Sequence, residues 1–206
     1  MKALQRALEA VFGKAGSLEG IDFAGRTDRV IIRQIFNRFG IEHSDENFTR
    51  YVDGYVAALP GSLAASNAVV LPGIEEILNR AADHPDVVQG LLTGNLRRSA
   101  EIKLGYHDLW DYFPIGAFAD DSESRNELGP HVLRRARGHW GIEFTGDRTW
   151  VVGDTPHDIA CARAFGARAM AVATGGSKAA ELAAFNPDAV LESLGDTEAF
   201  WRAVGA

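Results

Sequence analysis

The chain has 206 residues, 46% of them hydrophobic and 24% charged, and carries a net charge of −7 at pH 7. A length of this order buries a real core in one or two domains, and the acidic balance speaks against nucleic acid or an anionic membrane as the main partner. Cys161 is the only cysteine, which excludes an intrachain disulfide and fits a reducing, cytoplasmic setting, and no run approaches the ~18 consecutive apolar residues of a membrane span.

Residues 1–70 read as helical. Leu4, Leu8, Val11 and Phe12 keep one face of an opening amphipathic helix, whose charged side chains Lys2, Arg6 and Glu9 set it apart from a signal peptide. Ile31, Ile32, Ile35, Phe36 and Phe39 form a second stripe after Gly25-Arg26-Thr27. Phe48, Tyr51, Val52, Tyr55, Val56 and Leu59 form a third, which Pro60-Gly61 is expected to end. Three such stripes predict a small helical bundle.

The pattern changes at the hinge around residues 66–72, before Pro72-Gly73. Strand-like and helix-like segments then alternate. Helices are expected at Ile74–Ala82, Leu96–Leu104, Leu128–Trp140, Pro156–Phe165, Lys178–Ala183 and Thr197–Val204. Strands are expected at Val87–Leu92, Ile115–Phe118, Thr149–Val152, Ala169–Val172 and Ala189–Leu191. This alternation predicts a parallel sheet with helices on its faces. The expected organisation is thus a helical unit over 1–70 and an α/β unit over 71–206.

In such a sheet, ligands bind at the carboxyl ends of the strands, and three of those ends carry suggestive groups. Leu91-Leu92-Thr93-Gly94-Asn95 ends an apolar strand in a hydroxyl, a glycine and an amide. The Thr93 hydroxyl and the backbone N–H groups of Gly94 and Asn95, at a helix start, suit an anionic oxygen; a plain cap and turn is the competing reading. The segment from Asp120 to Asn126 contains Arg125, a cation for a phosphate or simply a surface arginine. Lys103 is a second basic candidate, placed late in its helix and expected to face solvent. Val151-Val152-Gly153-Asp154-Thr155-Pro156-His157-Asp158 brings two carboxylates to a strand end. Asp154 and Asp158 there suit Mg²⁺, which takes one or two carboxylates and keeps several waters, although Asp158 also suits a helix cap. His157 is expected to face solvent.

A hydroxyl, a cation and an acid pair, in that order on successive strand ends, resemble the haloacid dehalogenase superfamily of hydrolases, and within it phosphoglycolate-phosphatase-like members with a helical cap. Leu71-Pro72-Gly73-Ile74 is similar to the family's return from cap to core, and Gly166-Ala167-Arg168-Ala169 and Thr174-Gly175-Gly176 to the stretch after its last acidic motif. The resemblance implies a three-layer Rossmann-like α/β core with a parallel sheet, plus a helical cap. It implies a Mg²⁺-dependent phosphatase acting on a small phosphorylated metabolite. Thr93 would take the place of the family's second-motif hydroxyl, Arg125 that of its lysine with Lys103 in reserve, and Asp154 and Asp158 those of its metal-binding acids. Gly94 and Asn95 would help hold phosphate, and the loop with Arg26 and Thr27 would touch the leaving group; a helix N-cap by Thr27 is the alternative.

One part of the pattern is missing. The family's reaction starts from an Asp-x-Asp motif at the end of an N-terminal strand, the first Asp attacking phosphorus. No aspartate precedes Asp22, and Asp22 and Asp28 follow no apolar strand. The chain as given is therefore expected to be inactive and to lack the sheet's central strand. Either a longer native N-terminus supplies both, which the intact remaining motifs favour, or the chain is a noncatalytic phosphate- or partner-binding remnant. A metal-independent haloacid dehalogenase fits less well, because that branch typically lacks the first of the two acids. The pattern carries no signal for oligomeric state.

Overall fold

The computed structural model describes residues 1–205. Three helices open it: α1 (Lys2–Phe12), α2 (Asp28–Phe39) and α3 (Asp45–Ala64). Thr27 and Ser44 cap α2 and α3, accepting from the N–H groups of Val30 and Asn47 at 3.4 and 3.2 Å, which satisfies donors the first turn leaves free. The three apolar stripes meet in one core containing Leu4, Leu8, Ile32, Ile35, Phe36 and Tyr51. The Tyr51 hydroxyl donates to the Leu4 carbonyl at 2.8 Å, so the polar end of this buried ring is matched.

The expectation that Pro60-Gly61 ends the third helix does not hold. Helix α3 runs through Pro60 to Ala64. A proline there removes one backbone donor, but the last turn is kept against α1, where Arg6 donates to Ser62 Oγ at 3.4 Å.

The remainder alternates as expected: α4 (Ile74–Asp83), β1 (Leu91–Leu92), α5 (Arg97–Gly105), β2 (Gly116–Ala117), α6 (Leu128–Trp140), β3 (Trp150–Gly153), α7 (Pro156–Ala164), β4 (Arg168–Val172), α8 (Ala179–Ala183), β5 (Ala189–Leu191) and α9 (Thr197–Val204). All pairings are parallel, in the orders β1-β2 and β3-β4-β5. Leu91 pairs with Gly116, Val151 with Ala169, and Ala171 with Val190.

The parallel sheet is thus in two pieces. Among the described residues, β1 and β3 each pair on one side only. Both expected strands of the first piece are shorter than the sequence suggests, two residues each. A strand with one neighbour has half the ladder hydrogen bonds of a central one, which limits how far regular pairing extends. On β3, Val152 is 40% exposed, whereas its register partner Met170 on β4 is 1% exposed. Helix α6 packs against β1 and β2, helix α7 against β3 and β4, and the two helices pack against each other.

Candidate active site at the strand ends

The ends of β1 and β3 converge. A Cβ built on Gly94, just past β1, would lie 3.2 Å from Arg125 Nη1, and Arg125 Nη2 in turn donates to Asp158 Oδ1 at 2.5 Å. The structure therefore brings Thr93-Gly94-Asn95, Arg125 and the Asp154/Asp158 pair together.

Asp158 lies on the first turn of α7 and is 4% exposed. Its Oδ2 accepts from the Thr155 N–H at 3.0 Å and the Thr155 hydroxyl at 2.8 Å, and its Oδ1 takes Arg125. Both oxygens are thus occupied by protein donors, a capping arrangement that fixes the turn after β3. Arg125 is aimed by this bond. Its side chain is 18% exposed, and its Nε is buried without an acceptor. A buried donor without a partner is costly.

Asp154 is only partly buried. Burial and then the neighbouring Asp158 push its carboxyl above the usual carboxylate range, with Arg125 pulling the other way. Gly175, from the loop after β4, leaves room for it: a Cβ there would fall 2.1 Å from Asp154 Oδ2. A carboxylate destabilised by a second one and held at a strand end is a fit for a divalent cation, which would relieve the repulsion. No cluster of three or more His, Cys, Asp or Glu ligands exists among the described residues. The donor set matches Mg²⁺, which needs only one or two carboxylates beside its waters, and Asp154 is the carboxylate with room for it.

Thr93 is held by its own turn, its hydroxyl accepting from the Asn95 N–H at 3.2 Å. The next two amides are not free: Leu96 N–H donates to Asp28 Oδ2 at 2.8 Å and Arg97 N–H to Asp120 Oδ2 at 2.6 Å. The start of α5 is thus covered by carboxylates. Lys103 does not face solvent as its position suggested. It curls back along α5, and its Nζ donates to Asn95 Oδ1 at 2.8 Å. Burial lowers its pKa, and Asp28 partly offsets this.

The loop before α2 touches all three strand ends. Thr27, 2% exposed, both caps α2 and donates its hydroxyl to the Glu123 carbonyl at 2.8 Å. The Asp28 N–H donates to the Gly94 carbonyl at 2.6 Å. Gly25, at φ +63°, abuts His157, whose Cδ2 lies 2.4 Å from where a Cβ would stand. His157 therefore packs under this loop instead of facing solvent. Arg26 remains exposed and pairs with Asp22 at 2.8 Å, so its side chain is turned to the loop's own acid. An open cavity of about 330 Å³ lies elsewhere, lined by Trp110, Phe113, Phe118 and Arg135 among others, and none of the converged site residues borders it.

Sequence reasoning gave Asp28, Asp120 and Gly175 no role of their own at the site. Asp28 looked like part of an ordinary helix start, since its partners lie far along the chain. Gly175 carries a signal only once Asp154 is placed beside it.

Comparison with known proteins bears on the fold. A family model described as HAD-hydrolase-like matches residues 126–197, the span that holds β3, Asp154, Asp158 and β4. No curated protein matches the sequence. Solved structures share the fold. A predicted phosphoglycolate phosphatase from Haemophilus somnus superposes with a TM-score of 0.68 at 15% identity, covering 97% of this chain and 88% of that one. A predicted phosphatase from Clostridium acetobutylicum gives 0.68 at 18% identity, covering 100% and 90%. CbbY from Rhodobacter sphaeroides, solved in complex with phosphate, gives 0.72 at 13% identity, covering 95% and 87%. The chain thus shares the fold of these structures, with a Rossmann-like parallel α/β part.

Proposed function

We propose that the chain carries the phosphate- and metal-binding part of a Mg²⁺-dependent phosphatase for small phosphorylated metabolites of the phosphoglycolate kind, working in the cytoplasm without nucleic-acid or membrane partners. The observation that carries this reading is Arg125. It sits at the carboxyl ends of two parallel strands, beside Gly94 and Asp158, its guanidinium aimed by one carboxylate and its Nε left without an acceptor.

In this reading Arg125 and the Thr93 hydroxyl hold the equatorial phosphate oxygens and offset charge as the phosphoryl group transfers. Asp158 acts through Arg125 and Thr155, keeping guanidinium and turn in register. Asp154 would hold Mg²⁺, which screens repulsion between an attacking carboxylate and the phosphate. The loop with Arg26 and Thr27 closes the site from the helical side and excludes water. The nucleophilic aspartate is assigned to a further parallel strand seated between β1 and β3, each of which has one edge unpaired among the described residues. Attack by that aspartate forms an aspartyl-phosphate, and water then hydrolyses it. The noncatalytic reading differs only in denying that strand to the native protein.

The test begins with the intact mass of the protein from its native source, which should exceed the 22.3 kDa of this chain by roughly 2 kDa, a strand and its loop. That longer form should hydrolyse phosphomonoesters with Mg²⁺ and stop with EDTA. Hydrolysis indifferent to EDTA, or activity on haloacids alone, sinks the phosphatase reading. A native mass equal to this chain's leaves phosphate binding as the function.

A further inference from the structure

Asp28 has no part in the chemistry above, yet it is the most buried charged side chain among the described residues, at 3% exposure. An ionised carboxylate out of water is costly unless fully matched. An aspartate at a helix start commonly serves its own helix, but α2 is capped by Thr27. The partners of Asp28 all lie across the interface, on the α/β unit. Its Oδ2 accepts from the Leu96 N–H and from Ser99 Oγ, both at 2.8 Å, and its Oδ1 from Asn95 Nδ2 at 3.4 Å.

Helix α5 needs such a partner. Its N-cap residue is Leu96, which has no side-chain acceptor. The cap is therefore supplied from another part of the chain. The same carboxylate holds one end of the Asn95 amide, while the other end takes Lys103 Nζ at 2.8 Å. Asp28, Asn95 and Lys103 form a relay in which the amide can point only one way, its NH₂ to the carboxylate and its oxygen to the ammonium. The groups facing Lys103 from packed elements are Asp28 on α2, the Tyr55 ring on α3 at 5.8 Å, and the Met1 amine ahead of α1.

We propose that Asp28 is a positioning residue: it caps α5 from the helical unit and, through the Asn95 amide, fixes the Thr93–Asn95 loop and holds the Lys103 ammonium beside it. The helical unit thereby carries part of the anion site instead of only covering it. Only the ligand in this proposal rests on the phosphatase reading.

The experiment follows the Lys103 side chain by ¹³C NMR as pH is raised and measures inorganic phosphate affinity by calorimetry in Mg²⁺, using the full chain. Asp28→Asn should make Lys103 lose its proton at lower pH, because the charge that favours the ammonium is gone, and should weaken phosphate binding about tenfold, the scale of one charged hydrogen bond. Ser99→Ala, which removes a bond to Asp28 but not the relay, should leave the Lys103 titration where it was. If Asp28→Asn does not fold, Asn95→Ala cuts the relay without touching the cap of α5 and should likewise lower the Lys103 titration. An unmoved Lys103 titration in a folded Asp28→Asn or Asn95→Ala protein overturns the proposal. Should the parent chain bind no phosphate, the phosphatase reading fails while the Lys103 titration still decides the role of Asp28.

Discussion

The helical unit and the α/β unit use apolar residues of the same kind to opposite ends. The first packs three helices and adjoining residues around one continuous core, in which Leu8, Ile35 and Tyr51 are fully buried. The second divides its interior between a cluster around Val151, Ala169 and Leu182 and a smaller one around Ile77 and Trp201. A helix satisfies its backbone internally and needs only its apolar stripe covered. A strand needs neighbours on both edges as well as on both faces. With β1 and β3 each paired on one side, the α/β unit keeps backbone and side-chain groups uncommitted at the place where a ligand would be handled. The helical unit closes around one core, and the candidate site lies where strands of the other unit have an unpaired edge.

The largest expected effect tests the first half of that contrast. Phe36→Ala empties the middle of the aromatic group formed with Phe12 and Tyr51 and should cost about 3–5 kcal/mol in urea unfolding. Val151→Ala, in the cluster with Ala169 and Leu182, should cost roughly 2 kcal/mol or less. Equal losses would erase the distinction.

Next in size is Arg125→Ala. It strands the buried Asp158 carboxylate and should cost about 3 kcal/mol, while also abolishing inorganic phosphate binding as read by calorimetry. A variant that loses stability but binds phosphate as before would leave Arg125 a structural residue. Tyr51→Phe removes only the bond to the Leu4 carbonyl and should cost about 1 kcal/mol, with no change at the strand ends.

The smallest effect has the opposite sign. The carboxyl of Asp154 titrates above its ordinary value because burial and Asp158 disfavour its charge. A carboxyl raised in the folded state favours folding where it is protonated, and that contribution disappears as pH rises through the folded value. At neutral pH the charged group therefore works against the fold. Asp154→Asn should raise Tm at pH 7 by roughly 2 °C, and the gain should shrink as pH falls through the raised folded value of Asp154 and be gone below the ordinary aspartate value, about 4. The same variant should abolish the rise in Tm that Mg²⁺ gives the parent. A lower Tm at pH 7 would mean that Asp154 holds the turn together in the way Asp158 does.

Much of the fold was legible because its signals are local. Helices α6 and α9 and strand β5 have the bounds read from periodicity and punctuation. Pro60 misled because a proline cancels one hydrogen bond, whereas packing against α1 keeps the last turn of α3 in place. The strands β1 and β2 came out short because their apolar runs record burial, while strand length depends on a neighbour the run cannot name.

The sequence by itself determined the residue types at each strand end and their order along the chain: hydroxyl, cation, acid pair. Only the tertiary structure decided what each does with its neighbours. It committed Asp158 to Arg125 and Thr155, turned Lys103 back onto Asn95, packed His157 beneath Gly25, and brought Asp28 across to cap α5. The reason is physical. Element type follows from propensities within a few residues, whereas the energy of a charge depends on donors within a few ångströms, and those come from residues as distant as 28 and 96.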